Sequence, residues 1–207
     1  HSTWALADHE AFVMLFISVG FMYWLRAVKY AGSARISKTT SPHPLSFVRA
    51  FHDVAANRQA ALANAALAGV AFGIVSLGWK GFVVGPSILF LAYALQVALN
   101  IFRRRDSTTL SVMFLVMLTT TFLMGLPFYA HPQLNLVFDS TGLQPFLFIF
   151  GFTIAIAFVT TGFRDKPWLL VLGTLTAVAA VFFTVLYVLK TLEISDAWDV
   201  LFTGSGY

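Results

Sequence analysis

Six apolar stretches, at about 11–28, 60–79, 82–102, 109–130, 145–163 and 168–189, constrain this chain more than any other feature. A helix needs about 20 apolar residues to cross roughly 30 Å of hydrocarbon. Five of the six stretches meet that length; the first is shorter, because only 15 residues separate Glu10 from Arg26. Backbone polar groups in lipid must bond within the protein, so such spans are helices and not open strands. The composition agrees. Of 207 residues, 58% are hydrophobic and 11% charged, against about 25% charged in a soluble domain. One core of this size cannot house that much apolar surface, and a bilayer is the second solvent. The expected fold is therefore an all-α polytopic membrane protein with six transmembrane helices.

The remaining composition narrows the chemistry. There is no Cys, which excludes disulfides and thiolate metal sites. The first ten residues lack a basic n-region, so no cleavable signal peptide is expected. The chain begins at His1 and stops at Tyr207 just after a helical stretch; it reads as a segment of something longer. Its expected organisation is an external loop with an acidic motif over 1–10, a six-helix membrane segment over 11–190, and the start of a second external loop over 191–207.

Charge then orients the spans. Arg26, Lys29, Arg35, Lys38, Arg49 and Arg58 lie between spans one and two, Arg103, Arg104 and Arg105 between three and four, and Arg164 and Lys166 between five and six. Eleven of the 13 basic residues thus share one side, with Lys80 and Lys190 on the other. Basic connections stay in the cytoplasm, which puts both termini outside. The outer side also holds Asp8, Glu10, Asp139, Glu193, Asp196 and Asp199, six of the nine acids. The expected location is the cell membrane, multi-pass, with any catalytic face extracellular or luminal. The longest cytoplasmic connection, 31–59, carries the loop signal Ser-Pro-His-Pro. Within it, apolar residues at 45, 47, 48, 51, 54 and 55 have the spacing of a short amphipathic helix on the membrane surface. The plainer reading is a basic connecting loop near anionic lipid.

Two external features bear on chemistry. The first is "ADHEAF", in which Asp8 and Glu10 open the first apolar stretch. From Asp8 to Arg26 is about 27 Å of helix, so the two carboxylates sit at the outer hydrocarbon boundary. Asp8 as an N-cap and Glu10 at the positive end of the helix dipole would explain them structurally. The sharper reading is a clamp for Mg²⁺ or Mn²⁺, with two hard oxygen ligands on a loop entering a helix. His9, between them, is left out, since the alternation of an entry loop turns it away. The second feature is "LGWKGFVVGPS", which joins spans two and three. Trp79 suits a membrane-interface anchor. Lys80, beside an indole and the bend-permitting Gly78 and Gly81, also suits an anion such as a lipid phosphate. The pairs Gly69/Gly73 and Gly81/Gly85 are small-xxx-small spacings of close helix crossings.

Asp-x-Glu opening a helix, a basic cytoplasmic connection, and a span ending in Trp-x-Gly outside together resemble the catalytic subunit of the oligosaccharyltransferases, in character the archaeal form. The closing "DVLFTGSGY" resembles the stretch where that family leaves a membrane helix for its large external loop. The resemblance covers the chain as the central part of that family's transmembrane domain. It implies a C-type glycosyltransferase fold and transfer of a glycan from a lipid-linked (dolichyl) phosphate or diphosphate donor to Asn of Asn-x-Ser/Thr sequons. It implies Mn²⁺ or Mg²⁺ as cofactor, Asp8 and Glu10 as catalytic metal ligands, and Trp79, Lys80 and Gly81 beside the carrier phosphates. Implied partners are the lipid-linked donor, the acceptor protein and membrane lipids; nucleic acid is not among them. Lys80 departs from the small or polar residue that is common there, and 71 residues from Asp8 to Trp79 is a long spacing. The family's first acidic motif, external-loop glutamate motif and Trp-Trp-Asp-Tyr-Gly motif are absent, so this segment alone is expected to be inactive.

Two alternatives stand beside this. Another lipid-sugar-dependent C-type enzyme, such as a protein mannosyltransferase, would also set carboxylates on an external loop. A transporter segment would need ionisable groups inside its spans, where Asn64, Gln96 and Asn100 are the main polar side chains.

Overall fold

The computed structural model describes residues 3–31, 46–129, 143–163 and 166–191, giving the backbone path alone at Asp8 and Lys80. Asp139, Glu193, Asp196, Asp199 and the segment 192–207 lie outside the described residues. Every regular element described is helical: α1 (Thr3–Ala31), α2 (Ser46–Asn57), α3 (Gln59–Gly78), a 3₁₀ turn (Lys80–Val83), α4 (Val84–Phe102), α5 (Thr108–Tyr129), α6 (Leu143–Gly162) and α7 (Trp168–Thr191). Five helices are long and apolar enough to cross a membrane: Glu10–Ala31, Gln59–Leu77, Gly81–Phe102, Thr108–Leu126 and Pro145–Gly162. In α7 the apolar portion among the described residues is the shorter Trp168–Val181. The fold is thus an all-α membrane protein, with boundaries close to the apolar stretches of the sequence.

α3 is the central helix, packed between α1 and α5. Its buried residues Ala61, Ala65, Ala68, Phe72 and Val75 recur at the three- and four-residue steps of a single helix seam. On α1 the matching seam is Val13, Trp24, Ala27 and Ala31, whereas Leu25 is 68% exposed. Such exposure suits lipid, which solvates leucine as well as a core does. Association between these helices must then come from close packing rather than from expulsion of water. Gly69 and Gly73 make that packing possible. A Cβ on Gly69 would collide with the Met117 carbonyl oxygen, and one on Gly73 with Met124 Cβ. Thr121 Oγ1 donates across the same crossing to the Gly69 carbonyl at 3.1 Å. Gly85 also serves a close approach, facing the Phe72 ring. Gly81 does not: its neighbour is Trp79 of its own turn.

Ring and glycine contacts give the directions of the helices. Gly20 meets Phe72 while Trp24 packs edge-on to Phe114, whose helix meets α3 through Met117 and Gly69. α1 is therefore antiparallel to α3. The succession from Gly69 beside Met117 to Gly73 beside Met124 makes α3 parallel to α5. Phe82 beside Phe146 and Phe90 beside Phe152 make α4 parallel to α6. The start of α1, the end of α3 and the starts of α4 and α6 thus share one end of the bundle. The other end gathers the end of α1 and the α4–α5 and α6–α7 links, with Arg26, Lys29, Arg103, Arg104, Arg105 and Lys166. These are hereafter the acidic and the basic end.

The amphipathic spacing in the connection is expressed as α2, which packs on α3, α5 and α6 and buries Val54. The polar side chains inside the spans close on the protein. Asn64 Nδ2 donates to the Ala60 carbonyl at 2.7 Å, and Gln96 Nε2 to Asn100 Oδ1 at 3.0 Å.

Candidate functional site at the two ends of the bundle

The acidic end differs from the sequence-based expectation in one respect. The segment before Asp8 is not an entry loop: α1 is already helical from Thr3, and Asp8 and Glu10 stand inside it. The reason is local. Ala5, Leu6 and Ala7 are strong helix formers, and nothing from Thr3 to Glu10 is Gly or Pro. Asp8 therefore does not cap the helix. Positions i and i+2 on a helix are about 200° apart and do not face one another. A continuous α1 therefore sets the two positions on different faces of the helix. Glu10 is exposed, and among the described residues no three His, Cys, Asp or Glu side chains group to hold a metal. The Asp8 side chain lies outside the described residues.

The second feature is a built turn. Trp79 ends α3 in an extended conformation (φ −142°, ψ 122°), with its N–H donating to the Val75 carbonyl at 2.9 Å. Phe82 N–H donates back to the Trp79 carbonyl at 3.2 Å and starts the 3₁₀ turn. The half-buried indole packs against the core and lies over Gly81, where an added Cβ would come 2.7 Å from the indole Cε2. Only glycine lets the ring fold down onto its own turn. α1 and α3 then bring the two features together. Glu10 is ten residues above Gly20, and Trp79 seven residues above the Phe72 that Gly20 touches. On antiparallel helices those are rises of about 15 and 10 Å, so they differ by about one turn.

The basic end holds a cavity that sequence reasoning missed. α4 finishes in a Schellman turn. Arg104 N–H donates to the Ile101 carbonyl at 3.2 Å and Arg105 N–H to the Asn100 carbonyl at 2.8 Å. The left-handed position of that turn, usually glycine, is Arg104, at φ 51°. An L-residue there costs about 1–2 kcal/mol. Asp106 follows. Its Oδ1 accepts from Thr108 N–H at 3.0 Å and from Thr108 Oγ1 at 2.6 Å, which starts α5. Ser107, buried, accepts from Asn100 Nδ2 at 3.3 Å. One turn further, Tyr93 and Ser111 hydroxyls pair at 2.9 Å, and the Tyr93 ring stacks on Phe114 at 4.7 Å. Between this link and the start of α7 is a cavity of about 320 Å³, lined by Arg104, Arg105, Ser107, Lys166 and Trp168 among others. The sequence signal is "NIFRRRDS": three consecutive arginines close after Asn100, a polar residue inside a span.

What the fold defines is a class, a membrane-embedded all-α protein. Compared with family models, curated proteins and solved structures, the chain matches none of the three.

Proposed function

We propose that this chain is the central part of the membrane domain of an oligosaccharyltransferase, with the C-type glycosyltransferase fold, α7 as a sixth crossing, and both termini on the outer side. It would move a glycan from a lipid-linked (dolichyl) phosphate or diphosphate donor to Asn of Asn-x-Ser/Thr sequons, as part of a longer chain. One observation carries this reading: the acidic start of α1 and the Trp79–Gly81 turn reach the same end of the bundle within about one helical turn. A carboxylate-bearing helix start beside an aromatic turn with a lysine suits the phosphate end of a membrane-borne donor. In this reading the turn seats the carrier phosphates, with Lys80 as the cation. Asp8 and Glu10 present carboxylates at the same level, and Mn²⁺ or Mg²⁺ would be held with oxygens from the rest of the enzyme. Such an ion offsets negative charge that builds on the leaving phosphate.

The test uses the full-length protein, a lipid-linked oligosaccharide and an Asn-x-Ser/Thr peptide, with metal removed by chelation and restored. Transfer should require the metal, and the double variant Asp8→Ala/Glu10→Ala should fall to background while expression is kept. Wild-type transfer by the double variant would overturn the assignment.

A further inference from the structure

We infer that the cavity at the basic end is a binding site for the phosphate head of an anionic membrane phospholipid. Three cations line it, Arg104, Arg105 and Lys166. Arg104, Arg105 and Lys166 are all exposed. The one carboxylate in the lining, Asp106, is engaged at Oδ1 by the backbone and hydroxyl of Thr108. Among the described residues of the lining, three cations thus stand against one carboxylate, a net positive charge that an anion can reach.

Arg104 makes the case stronger than a count of charges. It occupies the left-handed position of the turn that ends α4, where glycine would be free of strain. Strain kept at one residue points to a use for its side chain, and Arg104 lines the cavity. Ser107 adds a neutral donor. Its oxygen already accepts from Asn100, and among the described residues its own hydrogen has no acceptor. Guanidinium groups and a hydroxyl hydrogen together match the several oxygens of a phosphate.

The rest of the wall says that the phosphate comes on a lipid. Ile101, Val171 and Trp168 line the cavity beside the cations. The Trp168 ring meets Phe102 at 5.0 Å, and both are exposed on the bundle surface. Aromatic rings at this level mark the boundary of the hydrocarbon. A free phosphate would leave that apolar wall unused, whereas an acyl chain would run down it between α4 and α7. Basic pockets between membrane helices on the side rich in cations are a recurrent form of lipid headgroup site.

The test is thermal unfolding of the full-length protein in mixed micelles, titrated with phosphatidylglycerol, with phosphatidylcholine, and with inorganic phosphate alone. Phosphatidylglycerol should raise the melting temperature in a saturable way, and the other two should not. Arg105→Gln and Lys166→Gln, both at exposed positions, should each weaken the apparent affinity by about tenfold. Arg104→Gly should do the same while melting at a higher temperature without lipid, because it releases the strained turn. Equal stabilisation by inorganic phosphate would overturn the lipid assignment. An unchanged phosphatidylglycerol titration in all three variants would overturn the site.

Discussion

At the acidic end, the residues of interest are strung along one helix and one turn; at the basic end they close around a cavity. Asp8 and Glu10 are on a continuous helix at a spacing that parts them, and their meeting with Trp79 is a matter of level. Arg104, Arg105, Ser107 and Lys166 come from two links and face a common space. The difference teaches that charge alone does not make a site. The carboxylates need ligands from elsewhere to become one, whereas the cations need only an anion.

The largest effect should come at the acidic end. Separate Asp8→Ala and Glu10→Ala variants, assayed for metal-dependent transfer, should lose activity unequally if α1 stays helical from Thr3. Equal and complete losses would mean that the helix unwinds to let both carboxylates reach one ion, and the contrast between the ends would narrow. A change at mid-bundle serves as the control for both ends. Phe72 is fully buried and seated between Gly20 and Gly85. Phe72→Ala should destabilise by about 3 kcal/mol, at the low end for such a cavity because lipid solvates the exposed phenyl in the separated helices. Unfolding should then lower donor transfer and phospholipid affinity together. A loss confined to one end would show that Phe72 supports that end alone.

Trp79 sharpens the comparison further. Its ring packs on the core and on Gly81, so Trp79→Ala should lower thermal stability whatever else it does. The donor-phosphate reading adds a rise in the KM for the lipid-linked donor, well beyond that for the acceptor peptide. An unchanged donor KM would leave Trp79 as a structural anchor. The smallest effect belongs to the basic end: without lipid, Arg104→Gly should gain about 1 kcal/mol from relief of the left-handed backbone, read as a raised melting temperature.

Much of the fold was legible because lipid imposes a length and an apolar composition on every span. Gln59–Gly78 and Leu143–Gly162 fall within two residues of the stretches at 60–79 and 145–163. The pair Gly69/Gly73 also declared its crossing, since few reasons besides close approach keep glycine inside a helix. The start of α1 was misread because Asp favours caps, although the three residues ahead of it favour helix. The pair Gly81/Gly85 was half right: spacing cannot tell a helix neighbour from a ring two residues back. Of the basic end only the arginine run was legible, and the cavity was not. It depends on which links become neighbours, and on a left-handed turn that an arginine gives no reason to expect.

Both proposals rest on the two ends lying on opposite sides of the membrane, with the acidic end outside. Cysteine labelling tests this directly, and the 207 residues contain no cysteine. Ser107, at first sight a natural position in the α4–α5 link, is unsuitable because it is only 5% exposed and would be shielded on either side. Glu10 and Arg103 are both exposed. In intact cells carrying the full-length protein, Glu10→Cys should react with a membrane-impermeant maleimide, and Arg103→Cys should react only after permeabilisation. Labelling of Arg103→Cys in intact cells, with Glu10→Cys protected, would contradict the account.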